Sequence, residues 1–222
     1  LDLTGVDDAD LARELEVATG LPAPIVEGRY LSVPPFRPAP DPSSIAEAAD
    51  AIRQAQRPIL VAGGGVRISG AAAALVALAE RCGIPVATSV NGKGTIDETH
   101  ALSVGVVGSY SAWCANRAVH EADLVIYVGS ATGDQTTHNW QVPAVGTRVV
   151  QLDIDPAELG RSYPGTIGVV GDARVSLEAL TQALTPSEGN VEWMARTRQL
   201  VADCEAEYAP RRASGESPIR PE

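Results

Sequence analysis

The chain has 222 residues, 45% hydrophobic and 20% charged, with 17 Lys and Arg against 28 Asp and Glu for a formal charge of −11. That length suits one α/β domain with tails, able to bury roughly 70% of its unfolded surface without a disulfide or metal staple. The composition excludes a wholly disordered chain, and the acidic charge excludes sequence-independent nucleic-acid binding as a main role. No apolar run approaches the roughly 18 residues of a membrane-spanning helix, so no membrane partner is expected. Aromatics are only 4%, too few for a base-stacking platform.

Residues 1–42 read as an extended connector, because prolines at 22, 24, 34, 35, 38, 40 and 42 fix φ and remove donors. A helix follows, with Ser43 or Ser44 as cap and Ile45, Ala48, Ala49 and Ile52 on its apolar face. Arg57-Pro58 ends it, and Ile59-Leu60-Val61-Ala62 reads as a buried strand. Gly63-Gly64-Gly65 turns the chain toward an alanine-rich helix over 70–82, stopped by Gly83. Ile84 to Thr88 is a second strand, and 89–108 reads as a long loop. A helix at roughly 112–121, strands over 123–128, 148–154 and 167–170, and a helix from the cap Asp172 to about 184 complete the unit. The segment 186–189 separates it from a last helix over 190–208 and a polar tail. Strands apolar on both faces, alternating with helices, predict a parallel sheet covered on both sides.

In such a sheet, ligands sit beyond the carboxyl ends of the strands. Five segments fall at that edge. They are Gly63, Gly64 and Gly65; Thr88, Val90 and Asn91; Gly108; Gly129 and Ser130; and Asp153, Ile154 and Asp172. The glycine run is either an anion cradle or a tight strand-to-helix turn, and Asp155 and Asp172 are either ribose acceptors or helix caps. Neither the G-x-G-x-x-G fingerprint nor the Walker pattern is met, since Ile68 and Ala87 stand where glycines are required. His100, His120 and His138 lie in no triad or metal spacing, and Cys82, Cys114 and Cys204 form no CxxC. The thiols fit a reducing cytoplasm, the expected location. The N-terminus has no secretory h-region and no initiator Met, so the segment is expected to be cut from a longer protein. Nothing in the residues themselves assigns a reaction.

Arg57 to Gly65, Gly83 to Gly94, Glu121 to Gly129, Asp153 to Gly160, Tyr163-Pro164 and Val170 to Ala173 occur in an order that resembles the central domain of thiamine-diphosphate-dependent enzymes of the acetolactate synthase type. The resemblance runs over about 43–184. It implies a Rossmann-like fold, of the DHS-like NAD/FAD-binding type, with six parallel strands and helices on both faces. Leu1 to Gly5 is similar to the end of the family's N-terminal pyrimidine-binding domain, and Ser217 to Glu222 to the start of its C-terminal pyrophosphate-binding domain. The expected organisation is therefore a linker over 1–42, a central domain over 43–185, and a helix and linker over 186–222.

The resemblance further implies a parent enzyme, transferase or lyase, that decarboxylates or joins 2-oxo acids. It implies thiamine diphosphate and Mg²⁺ held by the two domains this segment lacks, and assembly into a dimer or tetramer. The fragment itself would carry no catalytic or metal-binding residue. Gly171-Asp172-Ala173 departs from the G-D-G metal motif. After the third predicted strand, FAD-binding relatives carry a Gly-Ala-Arg-Phe-Asp-Asp-Arg-like run. Here Ala131 and Gln135 replace both arginines, which argues against FAD and leaves ADP or another nucleotide for the cleft. The alternatives are a sirtuin-like NAD-dependent deacylase, weighed on Gly63 to Gly70, and a scaffold that binds nothing.

Overall fold

The computed structural model describes residues 13, 16–20, 31–187, 189–213 and 215. The chain divides into two units, Leu1–Phe36 and Arg37–Glu222. In the first, residues 16–19 are helical and 31–35 bend, a departure from a uniformly extended connector. The expectations for Leu1 to Gly5 and Ser217 to Glu222 lie outside the described residues.

The second unit opens on α1 (Pro42–Gln54). Its cap is Asp41, not Ser43 or Ser44: the Asp41 side chain accepts from Ser43 N, and Pro42 opens the first turn. Pro favours that position because its missing N–H would have had no helical acceptor. Then come β1 (Pro58–Ala62), a short α2 (Gly64–Ile68), α3 (Ala72–Cys82), β2 (Val86–Thr88), β3 (Ser103–Val106), α4 (Trp113–Glu121), β4 (Leu124–Val128), β5 (Arg148–Asp153), β6 (Ile167–Val170), α5 (Ala173–Ala183) and α6 (Val191–Arg212). The predicted C′ glycine is confirmed: Gly83 has φ +59 and donates to Ala79 O.

The six strands form one parallel sheet in the order β3-β2-β1-β4-β5-β6. This is the doubly wound order expected of a Rossmann-like fold. β1 and β4 lie at its centre and are buried along their whole length. Alternate strand residues feed two cores. Leu60, Ala62, Ile126 and Leu152 meet α1, α3 and α5 on one face. Val61, Val125, Tyr127 and Val149 meet α4 and α6 on the other. Each fully buried Leu, Ile or Val contributes about 1.5–3 kcal/mol relative to exposure, which is why the central strands read as uninterrupted apolar runs.

Two elements depart from expectation. β3 lies inside the span 89–108 that reads as loop. It is an edge strand containing Gly105 at φ +92, and its register on β2 shifts between Val86 and Ala87. Half-buried and interrupted by glycine, it carries little of the apolar signature of a strand. The glycine run also does more than turn, since Gly64 opens α2, a helix that propensity alone disfavours.

Candidate functional site

Because every strand is parallel, the carboxyl ends of β1 to β6 share one edge. β1 and β4 are neighbours there, while their onward connections lead to opposite sides, which makes this the topological switch point. The turns after these two strands touch through backbone. Gly63 N donates to Val128 O at 2.9 Å, and Gly65 N to Gly129 O at 2.9 Å. A Cβ on Gly65 would lie 2.8 Å from Gly129 Cα, and one on Gly63 would collide with Gly129 O and Ser130. The first and third glycines of the run therefore let two turns meet, and their amides are already engaged.

Gly64 faces Asn91, whose Cβ would sit 3.3 Å from a Cβ built at Gly64. Asn91 belongs to a 3-10 turn, Val90–Gly92, capped by Ser89 Oγ, which accepts from Gly92 N at 3.1 Å. Thr88 is buried at the end of β2, whereas Val90 and Ile154 are 53% and 51% exposed. Ser130 is buried, and its hydroxyl donates to Ala131 O at 3.4 Å. Asp153 is half-buried at the end of β5, where its Oδ1 accepts from Asp155 N at 3.0 Å. Burial pushes the Asp153 carboxyl up, helped by the charge of Glu158. Gly108, at φ +116, is clamped by Asn116 through bonds of 2.8 and 3.0 Å, beside Gln135 O. Asp155 caps the 3-10 turn Pro156–Glu158 by accepting from Ala157 N. The edge thus gathers Gly64, Thr88, Val90, Asn91, Gly129, Ser130, Asp153 and Ile154 along the ends of β2, β1, β4 and β5.

Asp172 stands apart. It is 1% exposed, and its carboxylate is engaged within the protein. Oδ1 accepts from Arg174 N (3.1 Å) and Val175 N (3.2 Å), capping α5. Oδ2 accepts from Ser69 Oγ at 2.8 Å, and Arg37 Nη1 donates to both oxygens at 3.0 and 3.1 Å. Arg37 also donates to Ser69 O at 2.7 Å, and Asp172 N donates to Pro38 O at 2.9 Å. The cap reading of Asp172 holds, and this carboxylate is a poor fit to a metal–diphosphate grip. Arg37 lies 135 residues from Asp172 in a proline-rich stretch and gives no local signal of this role.

The loop after β4 holds a second feature with no local sequence signal. His138, Asn139 and Trp140 have φ of +49, +54 and +57, a left-handed run costing about 1–2 kcal/mol per residue. Thr137 Oγ1, bonded to Gly133 O and to Trp140 N, and Asn139 N, donating to Asp134 O, hold it. Thr132 Oγ1, His138 Nδ1, Gln151 Nε2 and Glu158 Oε2 are buried here without a hydrogen-bond partner among the described residues. Among the cations near this edge, Lys93 pairs with Glu98 at 2.5 Å, while exposed Arg67 has no partner among the described residues. Two cavities lie elsewhere. One of about 570 Å³, beside Arg57, Glu121, Trp193 and Arg196, and one of about 360 Å³ both open at the amino edge of the sheet. Among the described residues no cluster of His, Cys, Asp or Glu is arranged to hold a metal ion, and no helix is long and apolar enough to cross a membrane.

Residues 45–180 match the family described as thiamine pyrophosphate enzyme, central domain. The chain is 40% identical over 161 residues to a probable acetolactate synthase large subunit of Methanocaldococcus jannaschii, covering 72% of this chain and 27% of that protein. It is 40% identical over 161 residues to the acetolactate synthase large subunit of Parasynechococcus marenigrum, covering 72% and 25%. It is 32% identical over 177 residues to the glyoxylate carboligase of Escherichia coli O157:H7, covering 79% and 30%. The chain therefore spans roughly a quarter to a third of the length of these relatives. The match covers more than half of the chain and the sheet order is consistent with it, so the chain belongs to the thiamine pyrophosphate enzyme central-domain family.

Proposed function

We propose that this chain is the middle domain of an acetolactate synthase-like enzyme that decarboxylates or joins 2-oxo acids. The match over 45–180 carries this reading. Thiamine diphosphate, when bound, supplies the electron sink for breaking and making a carbon–carbon bond next to a carbonyl. Asp172, in a segment that departs from the metal motif, is committed to Arg37, Ser69 and two amides, which supports a reading in which other domains of the parent hold thiamine diphosphate and Mg²⁺. The role of the chain is to space those domains and to take part in a homo-oligomer in the cytoplasm.

The carboxyl edge is the seat for a nucleotide. Asp153 suits a ribose hydroxyl, Val90 and Ile154 offer aliphatic surface, and exposed Arg67 has no ion-pair partner among the described residues. Without arginines at 131 and 135, the seat suits ADP better than FAD. A closed scaffold is the second reading, and the direct contact of Gly63 and Gly65 with Gly129 favours it. The deacylase alternative loses its basis, because Gly64–Ile68 forms a short helix against Gly129 in a chain of another family.

Thermal unfolding of the chain with FAD, ADP or CoA separates seat from scaffold. A binder at 100 times its dissociation constant adds about 2.7 kcal/mol. No shift with any of the three leaves the scaffold. Calorimetry with thiamine diphosphate and Mg²⁺ should give no heat with this chain, and tight binding would overturn the domain assignment. Expression of the full reading frame, assayed with 2-oxo acids in the presence of both cofactors, tests the activity.

A further inference from the structure

Cys114 in α4 and Cys204 in α6 sit in one buried layer, 4% and 2% exposed. Both face the interface of the two helices, whose antiparallel register is fixed by the Arg196–Glu121 and Trp113–Glu207 pairs, so that positions 114 and 204 lie at the same level; Cys114 Sγ donates to Val104 O at 3.5 Å. Cys82 belongs to the opposite layer, with α1, α3 and α5. The helix that carries Cys204 is docked by a narrow seam. Its buried residues are Trp193, Thr197, Leu200 and Cys204, a coiled-coil-like spacing on an otherwise polar helix. The amino half is anchored by Trp193 Nε1, which donates to Pro58 O at 2.9 Å, and by the Arg196–Glu121 pair. The carboxyl half, with Cys204, is tied to α4 by one described side-chain hydrogen bond, from Trp113 Nε1 to Glu207 Oε2 at 2.9 Å.

We propose that Cys114 and Cys204 are a redox clasp, closing to an intramolecular disulfide that pins α6 to α4 when a low-molecular-weight disulfide such as oxidised glutathione is present. The reaction begins when the end of α6 lifts. The Cys204 thiolate attacks the glutathione disulfide and releases one glutathione thiolate, leaving a mixed disulfide on Cys204. Cys114 then attacks Cys204 Sγ and releases the second glutathione. Two protein thiols are oxidised and one glutathione disulfide is reduced to two thiols, the protons passing to water and to the departing thiolates. In the docked state the pair is inert. Both sulfurs are shielded, and burial together with the neighbouring Cys204 pushes the Cys114 thiol up to about 12, whereas only a thiolate attacks. The clasp thus responds to oxidant only as fast as the last helix opens.

The test treats the full chain with oxidised glutathione in alkaline buffer with a little urea to loosen α6, followed by alkylation and digestion without reduction. The expected product is a monomer lighter by two hydrogen atoms, with one joined peptide pair carrying Cys114 and Cys204. Its circular dichroism should match the reduced chain, and its urea midpoint should rise. Cys82→Ala should give the same pair. Cys204→Ser should give only unjoined peptides or a glutathione adduct. A wild-type product joined through Cys82, a disulfide dimer, adducts without a joined pair, no reaction, or a cross-link formed with loss of folded signal would each overturn the clasp. Mapping of the unmodified chain decides the matter even if a variant fails to fold.

Discussion

At the carboxyl edge of the sheet, the turns after β1 and β4 meet through backbone, with Gly65 N–H donating to Gly129 O. At the amino edge, the strands are entered through side chains. Asp123 accepts from the Gln56 and Arg57 amides at 2.9 and 2.8 Å, and Glu121 pairs with Arg117 and bidentately with Arg196. The difference is one of tolerance. A backbone junction admits no added atom, whereas exposed ion pairs can be rebuilt or lost at small cost. The edge proposed to seat a ligand is therefore the rigid one, and it also holds the left-handed run and buried polar atoms without a hydrogen-bond partner among the described residues. The described cavities lie at the tolerant edge.

Gly63→Ala breaks the comparison most directly. The new methyl would meet Gly129 O and Ser130, and overpacking of that kind costs about 3 kcal/mol, read as a lower urea midpoint with unchanged slope. Asp172→Ala comes next, because it removes the α5 cap and the tie among Arg37, Ser69 and the segment at Pro38. A loss of about 2 kcal/mol is expected in the same assay. A loss under a few tenths would show that the staple holds nothing.

Glu121→Gln probes the amino edge, and its effect should be smaller. Hydrogen bonding from Arg196, with support from Arg117, holds the Glu121 carboxyl at about 2 against an ordinary 4.5. Its folded-state pKa is depressed, so its stabilisation is complete above the ordinary carboxylate range and is lost as pH falls through about 2. Its arginine partners are 57% and 43% exposed, so screening limits the effect to about 1 kcal/mol. The variant should therefore differ from the parent at neutral pH and converge with it in acid denaturation.

Asp153→Asn gives the smallest effect and the opposite sign. Burial raises this carboxyl, so its ionised form costs stability at neutral pH, a cost that disappears on acidification. The amide should gain about 0.5 kcal/mol while weakening ADP binding, measured side by side by thermal shift. A variant that is more stable and binds ADP unchanged would remove Asp153 from the seat.

Much of this architecture was legible along the chain. The runs Ile59 to Ala62 and Leu124 to Val128 announced central strands because both of their faces are buried. Gly83 announced a helix end and Asp172 a cap, since each acts on a backbone within a few residues. β3 was hidden because an edge strand with a glycine and a register shift has one weak pattern to show. The glycine run left cradle and turn open, and the choice depended on Gly129, more than sixty residues away.

Local chemistry thus determined the alternation of elements, their ends and the family resemblance, because periodicity, caps and turns act over one helical turn or one strand. Tertiary structure alone decided which polar groups are available. It engaged Asp172 with Arg37, left Asp153 half-free, and brought Cys114 against Cys204. Availability is a matter of what lies within hydrogen-bonding distance, and those neighbours come from residues that only the folded sheet and its two helical layers bring together.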